Sequence, residues 1–420
     1  MNDGATAFLE ALAFRGGFNT ALVAAGLSLL GAAGGLVGTF TLLRKRSLLA
    51  DALGHATLPG IAAAFLAAPL VGLAGSELPL LLSGATLAAI VALVAIDVLA
   101  RRRIGPDAAM ATVLSVFFGI GAVLLSLVQE SERGEQAGLR SFLFGSAVGL
   151  ARGDAMLLAA IAAAALGVTL VARRALATLA FDEEFAGTAG LPVRRLDALV
   201  LGLVLAVTIA GLQAVGLVLV IAVLVVPPVT ARLWAGRVPT MLATAAVVGA
   251  ATGWIGTACS AVAPRQPTGA ITVLVGGAIL VVSLVVAPGG AVVAGVRRLR
   301  DRVRIAADDL LRVAVERPGD RAALASLRLP PAVSLLARVS LVRRGEAKRR
   351  GGTLEPTGRG RIRAAVVQRN RELWAAYLTL HADVARDHVD PSVERIEHVL
   401  DAELVAALAA DVERGRGGTR

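Results

Sequence analysis

The sequence predicts an all-α polytopic membrane protein of about nine transmembrane helices, followed by a C-terminal soluble α/β winged-helix-like domain. Three observations lead there. Of the 420 residues, 56% are hydrophobic and only 17% charged, and the mean hydropathy of +0.74 lies far above that of a soluble globular chain. Apolar runs repeatedly exceed the roughly 20 helical residues that cross a hydrocarbon core of about 30 Å. After about Val296 the chain turns polar and Arg-rich, with no further run of that length. The expected division is residues 1–296 as a transmembrane domain and 297–420 as a soluble one.

Hydropathy places the spans at Phe18 to Leu43, Thr57 to Ala74, Leu78 to Ala100, Ala109 to Val128, Ala155 to Val171, Leu196 to Leu212, Val215 to Trp234, Met241 to Val262 and Ile271 to Ala287. Basic clusters follow the first span (Arg44, Lys45, Arg46), the third (Arg101, Arg102, Arg103), the fifth (Arg173, Arg174), the seventh (Arg232, Arg237) and the ninth (Arg297, Arg298, Arg300). Simple alternation puts all of them on one side. The positive-inside rule makes that side cytoplasmic, with the N-terminus outside and the C-terminal domain inside a cytoplasmic (inner) membrane. Arg133, Arg140 and Arg152 fall on the other side, beside Glu130, Glu132 and Glu135, so the rule fits less cleanly there. The start "MNDGATAFLEALAFRGG" lacks a basic leader and a small-residue cleavage site, so no cleaved signal peptide is expected. Pro227 and Pro228 inside the seventh span break helical hydrogen bonding, either as a packing kink or beside a cavity that satisfies the freed backbone.

In the soluble part "ADDLLRVAVE" and "GRIRAAVVQRNRELWAAYLTLHADVA" carry helical patterns. The basic stretch between them, "VRRGEAKRRGGTLEPTG", has the Gly and Pro content of a turn or β-wing. The net charge of +11 sits largely at span ends and in this tail. It therefore reads as topology rather than as a nucleic-acid footprint.

One short stretch concentrates ionisable groups: "RKRSLLADALGHATLPG", Arg44 to Gly60. Asp51 and His55 stand four residues apart and share one face of a helix. A carboxylate and an imidazole together suit manganese, zinc or ferrous iron, and ionisable groups at membrane depth usually face a pathway or a partner. The alternative from spacing alone is a cytoplasmic loop in which Asp51 pairs with a neighbouring Arg and His55 merely starts the second helix.

That stretch, extended to "LLRKRSLLADALGHATLPGIAAAFL", resembles the permease subunits of manganese, zinc and iron ABC importers. The likeness continues through "PDAAMATVLSVFFGIGAVLLS", "SFLFGSAVG", "FDEEFAGTAGLPVRRLDAL", "LQAVGLVLVIAVLVVPPVTARL" and "PTGAITVLV", covering nearly all of Phe18 to Ala287. The resemblance implies that Asp51 and His55 contact the transported cation between two permease chains, in a homo- or heterodimer. It also implies that Phe181, Asp182, Glu183, Glu184, Phe185, Gly190, Leu191 and Pro192 dock on an ABC ATPase subunit, and that an external metal-binding protein supplies the ion. An ordinary amphipathic loop helix is the other reading of that segment.

The tail resembles the iron- and manganese-dependent repressors of the diphtheria-toxin-repressor type, through "LEPTGRGRIRAAVVQRNRELWAAYL" and "HVDPSVERIEHVL". Glu394, Glu397 and His398 match a Glu-x-x-Glu-His ligand cluster. The family's preceding His falls on Arg371 and its following Glu on Ala375, so two ligands are missing. The cluster stands either as a regulatory metal site or as solvated acids on a retained fold. Lys348, Arg349 and Arg350 suit phosphates. Yet the segment from Asp308 to Arg344 is short for a complete helix-turn-helix, and a membrane tether restricts access to a chromosome, so nucleic acid is not the expected partner. A regulatory or dimerising role near the ATPase fits better.

No Gly-x-x-x-x-Gly-Lys-Ser/Thr phosphate loop occurs in the sequence, so ATP hydrolysis is expected from a separate subunit and no catalytic residue or permanently bound cofactor is expected here. Cys259 is the single cysteine. These readings converge on a permease for divalent transition metals, the tail favouring manganese. The alternatives are a membrane-tethered metal-responsive regulator and an ATP-independent transporter, the latter often built from inverted repeats that this sequence lacks.

Overall fold

The computed structural model describes residues 18–381 except 47, 73–76, 102–103, 131–151, 263–266 and 351–352, together with 8–10, 12–13, 15 and 406–407. The chain forms two compact units, Met1–Val293 and Ala294–Arg420.

The first unit is helical. Its elements are α1 (Phe18–Leu43), α2 (Leu49–Ala67), α3 (Leu78–Arg101), α4 (Pro106–Glu130), α5 (Arg152–Phe181), the short α6 (Glu183–Thr188), α7 (Val193–Val215), α8 (Leu217–Trp234), α9 (Val238–Val262) and α10 (Thr268–Val286). Among the described residues eight helices are long and apolar enough to cross a membrane, and the apolar stretch Val220–Trp234 of α8 is shorter.

Lipid offers no hydrophobic drive for helices to associate, so close backbone packing has to hold them. α1 does this for the bundle, packing on α5, α8 and α9. Its Gly31 and Gly35 face Gly249 and Ala245 of α9 so closely that a Cβ at either would strike the facing carbonyl oxygen. Two further α1 glycines answer the proline question. Pro227 and Pro228 have no N–H to give the carbonyls of Val223 and Leu224, four residues back, and α8 nevertheless runs on as helix through both. Gly38 lies directly against the Leu224 carbonyl oxygen and Gly34 against Val223. The freed acceptors therefore meet the Cα–H groups of a neighbouring helix, a weak but favourable contact. The prolines mark a seam with α1, not an opening.

The second span is displaced from its expected position. The helix begins at Leu49 and gives way at Ala68–Val71 to a 3-10 turn closed by Gly72 at φ +75°, whereas hydropathy pointed to Thr57 to Ala74. The polar pair Asp51 and His55 depresses the hydropathy of its first turns, although Leu49, Ala50, Ala52, Leu53 and Ala56 around the pair are buried. α2 packs on α3 and α4.

In the second unit α11 (Ala291–Glu316), α12 (Arg321–Ser326), α13 (Pro331–Arg343), β1 (Ala347–Arg350), β2 (Thr353–Pro356) and α14 (Gly358–His381) follow in order. The strands pair antiparallel, Ala347 opposite Pro356. Ala307, Leu310, Leu311 and Ala314 recur at helical spacing on α11 and close on Leu324, Ala337, Leu341, Leu354 and Ala364. Helices α11, α12 and α13 thus precede a two-stranded wing, and Asp308 to Arg344 holds the end of α11 with all of α12 and α13. The six-residue α12, capped by Asp320 accepting from the Ala323 amide, is too short to leave a periodic signal.

Candidate functional site

Asp51 lies in the first turn of α2, where a carboxylate is favoured by the positive end of the helix dipole. His55 follows one turn on, about 9 Å along the axis from Leu49 at 1.5 Å per residue. Its Nε2 is 3.4 Å from Asp51 Oδ1, and the two side chains are 25% and 33% exposed. The loop alternative fails, because both residues are inside the helix and His55 does not begin it. The imidazole meets the ring of Phe118 on α4 edge to face, centroids 5.2 Å apart at 90°. Its Nδ1 is buried without a hydrogen-bond partner. An orphaned buried nitrogen is costly and calls for a ligand, an ion or a water. Gly121 keeps α4 close, because a Cβ there would stand 2.8 Å from the Leu58 Cβ and 3.1 Å from the Pro59 Cδ. Pro59 also withholds the amide that would close on the His55 carbonyl oxygen. Among the described residues no group of three or more His, Cys, Asp or Glu side chains gathers at one point. Among the described residues, Asp51 and His55 are the two such side chains that meet here.

The docking candidates form a compact feature. Asp182 caps α6 by accepting from the Phe185 amide at 2.8 Å. The helix ends in a Schellman-type turn, with the Leu191 amide donating to the Ala186 carbonyl at 3.0 Å and Gly190 at φ +80°, a conformation suited to glycine. Pro192 then leads into α7. Ala186 alone is buried in this helix, while Phe181 and Phe185 are 72% and 59% exposed and Glu183 and Glu184 face solvent. Phe181, which ends α5, and Phe185 of α6 thus leave two aromatic rings exposed around this short helix.

Sequence reasoning missed what α6 is tied to. Arg44, just past α1, has a side chain only 7% exposed. It donates to Glu183 Oε2 at 2.9 Å and to Asp197 Oδ1 of α7. Arg46 joins the same Asp197 oxygen at 2.8 Å. Arg46, Asp197 and Asp97 of α3 line a cavity of about 30 Å³. The basic cluster after the first span, the end of α3 and the short α6 therefore meet at one end of the bundle.

In the second unit Glu394, Glu397 and His398 lie outside the described residues. Arg371 and Ala375 are on α14, and neither a guanidinium nor a methyl group supplies a metal lone pair. The described residues hold a different polar centre: Arg363 Nε donates to the buried Asp308 Oδ1 at 2.7 Å and its second nitrogen to Oδ2 at 3.2 Å, with Glu346 Oε1 3.5 Å away. The hydrogen bond to Asp308 raises the Arg363 pKa above its ordinary value. This is a staple joining α11, the wing and α14. On α13, Leu335, Leu336, Val339 and Val342 are exposed. Arg338 and Arg343 of the same helix stand beside Leu335, Val339 and Val342.

A bundle with eight helices long and apolar enough to cross a membrane among its described residues is the architecture of a polytopic membrane protein. The profile of the ABC 3 transport family matches residues 18–287, and the chain belongs to that family. Residues 357–414 match the iron dependent repressor, metal binding and dimerisation domain. The chain is 38% identical over 295 residues to the "Manganese transport system membrane protein MntC" of Bacillus subtilis, covering 70% of this chain and 67% of the relative. It is 37% identical over 267 residues to the "Zinc transport system membrane protein TroC" of Treponema pallidum, covering 63% and 88%. The fold is similar to the solved "PsaBC from Streptococcus pneumoniae in complex with Fab", with a TM-score of 0.57 at 26% identity, covering 68% of this chain and 97% of that one.

Proposed function

We propose that this chain is the permease subunit of an ABC importer for divalent transition-metal cations, with manganese favoured over zinc and iron. The observation that carries the reading is the Asp51–His55 pair, held side by side in a helix with the imidazole Nδ1 buried and unpartnered. The relatives' printed substrates, manganese and zinc, are ions for which a carboxylate and an imidazole are suitable donors.

Two donors leave a divalent ion under-coordinated, so two copies of α2 facing each other, or one copy facing a related permease, complete the set. A site divided between chains opens when the chains separate, which reconciles binding with release. An external binding protein delivers the ion. ATP turnover in a separate ATPase, seated on α6 through Phe181 and Phe185, drives the separation. α6 and the C-terminal domain then lie on the cytoplasmic side. The tail, with an apolar α13 face, acts as a regulatory or dimerising module rather than as a reader of DNA.

The test is the metal content of the purified complex after equilibration with manganese, zinc or ferrous iron and desalting. The expected result is one ion per pair of permease chains, lost in Asp51→Ala and in His55→Ala. Unchanged content in both variants refutes the pair as the site.

A further inference from the structure

The ionic centre around Arg44 has no part in binding the ion, yet it joins the two ends of the proposed mechanism. Arg44 lies in the five-residue connector between α1 and α2. Its guanidinium bridges Glu183, the first residue of α6, and Asp197 in the first turns of α7, while Arg46 repeats the link to Asp197. The described residues of the connector are held closely: Arg46 N–H donates to the Thr41 carbonyl at 2.8 Å, Leu49 N–H to the Arg46 carbonyl at 3.1 Å, and Lys45 stands at φ +57°. An L-residue with a Cβ is held in that left-handed conformation only where its surroundings over-determine it. Arg44, Lys45 and Arg46 therefore have little slack. Asp51 is two residues beyond the start of α2, and His55 one turn further.

We propose that Arg44 is the coupling residue of this permease: it transmits displacement of α6 to the start of α2, and so to the Asp51–His55 pair. This rests on α6 being the ATPase docking element. Arginine fits the task because its planar fork engages two carboxylates at once, which a lysine ammonium holds far less rigidly. Near-complete burial of the Arg44 side chain keeps the link from being screened by salt. Glu183 is the exposed member, at 61%, and it sits where the ATPase would seat.

The experiment reconstitutes the chain with its ATPase and binding protein in proteoliposomes. It measures manganese taken up per ATP hydrolysed for wild type, Arg44→Gln, Arg44→Lys and Glu183→Gln. The expected result is a tenfold or greater fall in that ratio for Arg44→Gln, a smaller fall for Arg44→Lys and a measurable fall for Glu183→Gln. Partial unfolding lowers uptake and stimulated hydrolysis together and leaves the ratio unmoved, so an unchanged ratio in both Arg44→Gln and Glu183→Gln overturns the proposal. Should Arg44→Gln fail to assemble, the Glu183→Gln ratio decides alone. Co-purification of the ATPase with Phe185→Ala separates the two claims. Retained assembly there removes α6 as the docking element, whereas lost assembly with a normal Arg44→Gln ratio removes only the coupling role.

Discussion

Gly38→Ala tests the packing logic that sets the bundle. A Cβ at Gly38 falls on the Leu224 carbonyl oxygen, with the Pro228 ring 3.1 Å away. Neither neighbour is the free end of a flexible side chain, so α1 and α8 must part. Overpacking of this kind costs about 1–3 kcal/mol, and the weak Cα–H contact to a carbonyl freed by proline, about 0.5–1 kcal/mol, is lost with it. Against this stands the helix-propensity gain of Ala over Gly, at most about 1 kcal/mol. The net expectation is a destabilisation of about 0.5–3 kcal/mol. Gly167→Ala, on α5 with nothing within 4 Å of the added methyl, is the matched control and keeps only the propensity gain. The assay is thermal unfolding of the detergent-solubilised protein, followed by native tryptophan fluorescence and by retention of monodispersity. Gly38→Ala should unfold at a lower temperature than wild type, and Gly167→Ala at the same or a higher one. Equal shifts in the two variants refute the close seam between α1 and α8.

Other expectations follow from single contacts. Gly121→Val should lower manganese affinity with both donors intact, because its side chain pushes α4 off Leu58 and Pro59 and carries Phe118 away from His55; equilibrium binding measures this. Arg363→Leu removes the two hydrogen bonds that Arg363 gives the 3% exposed Asp308, a loss of about 1–3 kcal/mol, seen as preferential proteolysis of the tail. The Arg363 pKa is raised in the folded protein, so its contribution is fully present below the unfolded-state value and is lost only as pH rises through the folded one. Raising the pH from 7 to 10 should therefore leave the resistance of the tail to protease unchanged. Lys45→Gly should be tolerated or stabilising by up to about 1 kcal/mol, since glycine adopts positive φ freely. Binding of DNA by the full chain should be weak, salt-dependent and indifferent to sequence, through phosphate contacts of residues such as Lys348, Arg349 and Arg350; a gel-shift comparison of defined and random duplexes checks this.

Residues differ in how plainly the sequence showed them. Long apolar runs declare spans because a bilayer demands length and apolarity, and most of the helices begin and end near where hydropathy put them. α2 was displaced by the same chemistry that makes it interesting, since a polar pair in a buried helical turn reads as the absence of a span. The Asp51–His55 pairing was visible from a four-residue spacing, but the orphaned Nδ1 and the ring of Phe118 come from another helix and leave no local trace. Arg44 shows the limit most sharply. Its partners Glu183 and Asp197 are 139 and 153 positions away, and a basic residue at a span end is fully explained by topology until the fold brings the carboxylates to it.

The most direct test of the account is ATP-dependent uptake of manganese, zinc and iron into proteoliposomes carrying this chain with its ATPase and binding protein, comparing wild type with Asp51→Ala and His55→Ala. The account predicts uptake that requires ATP, favours manganese and collapses in both variants although each assembles normally. Uptake that continues without ATP, or survives both substitutions, contradicts it.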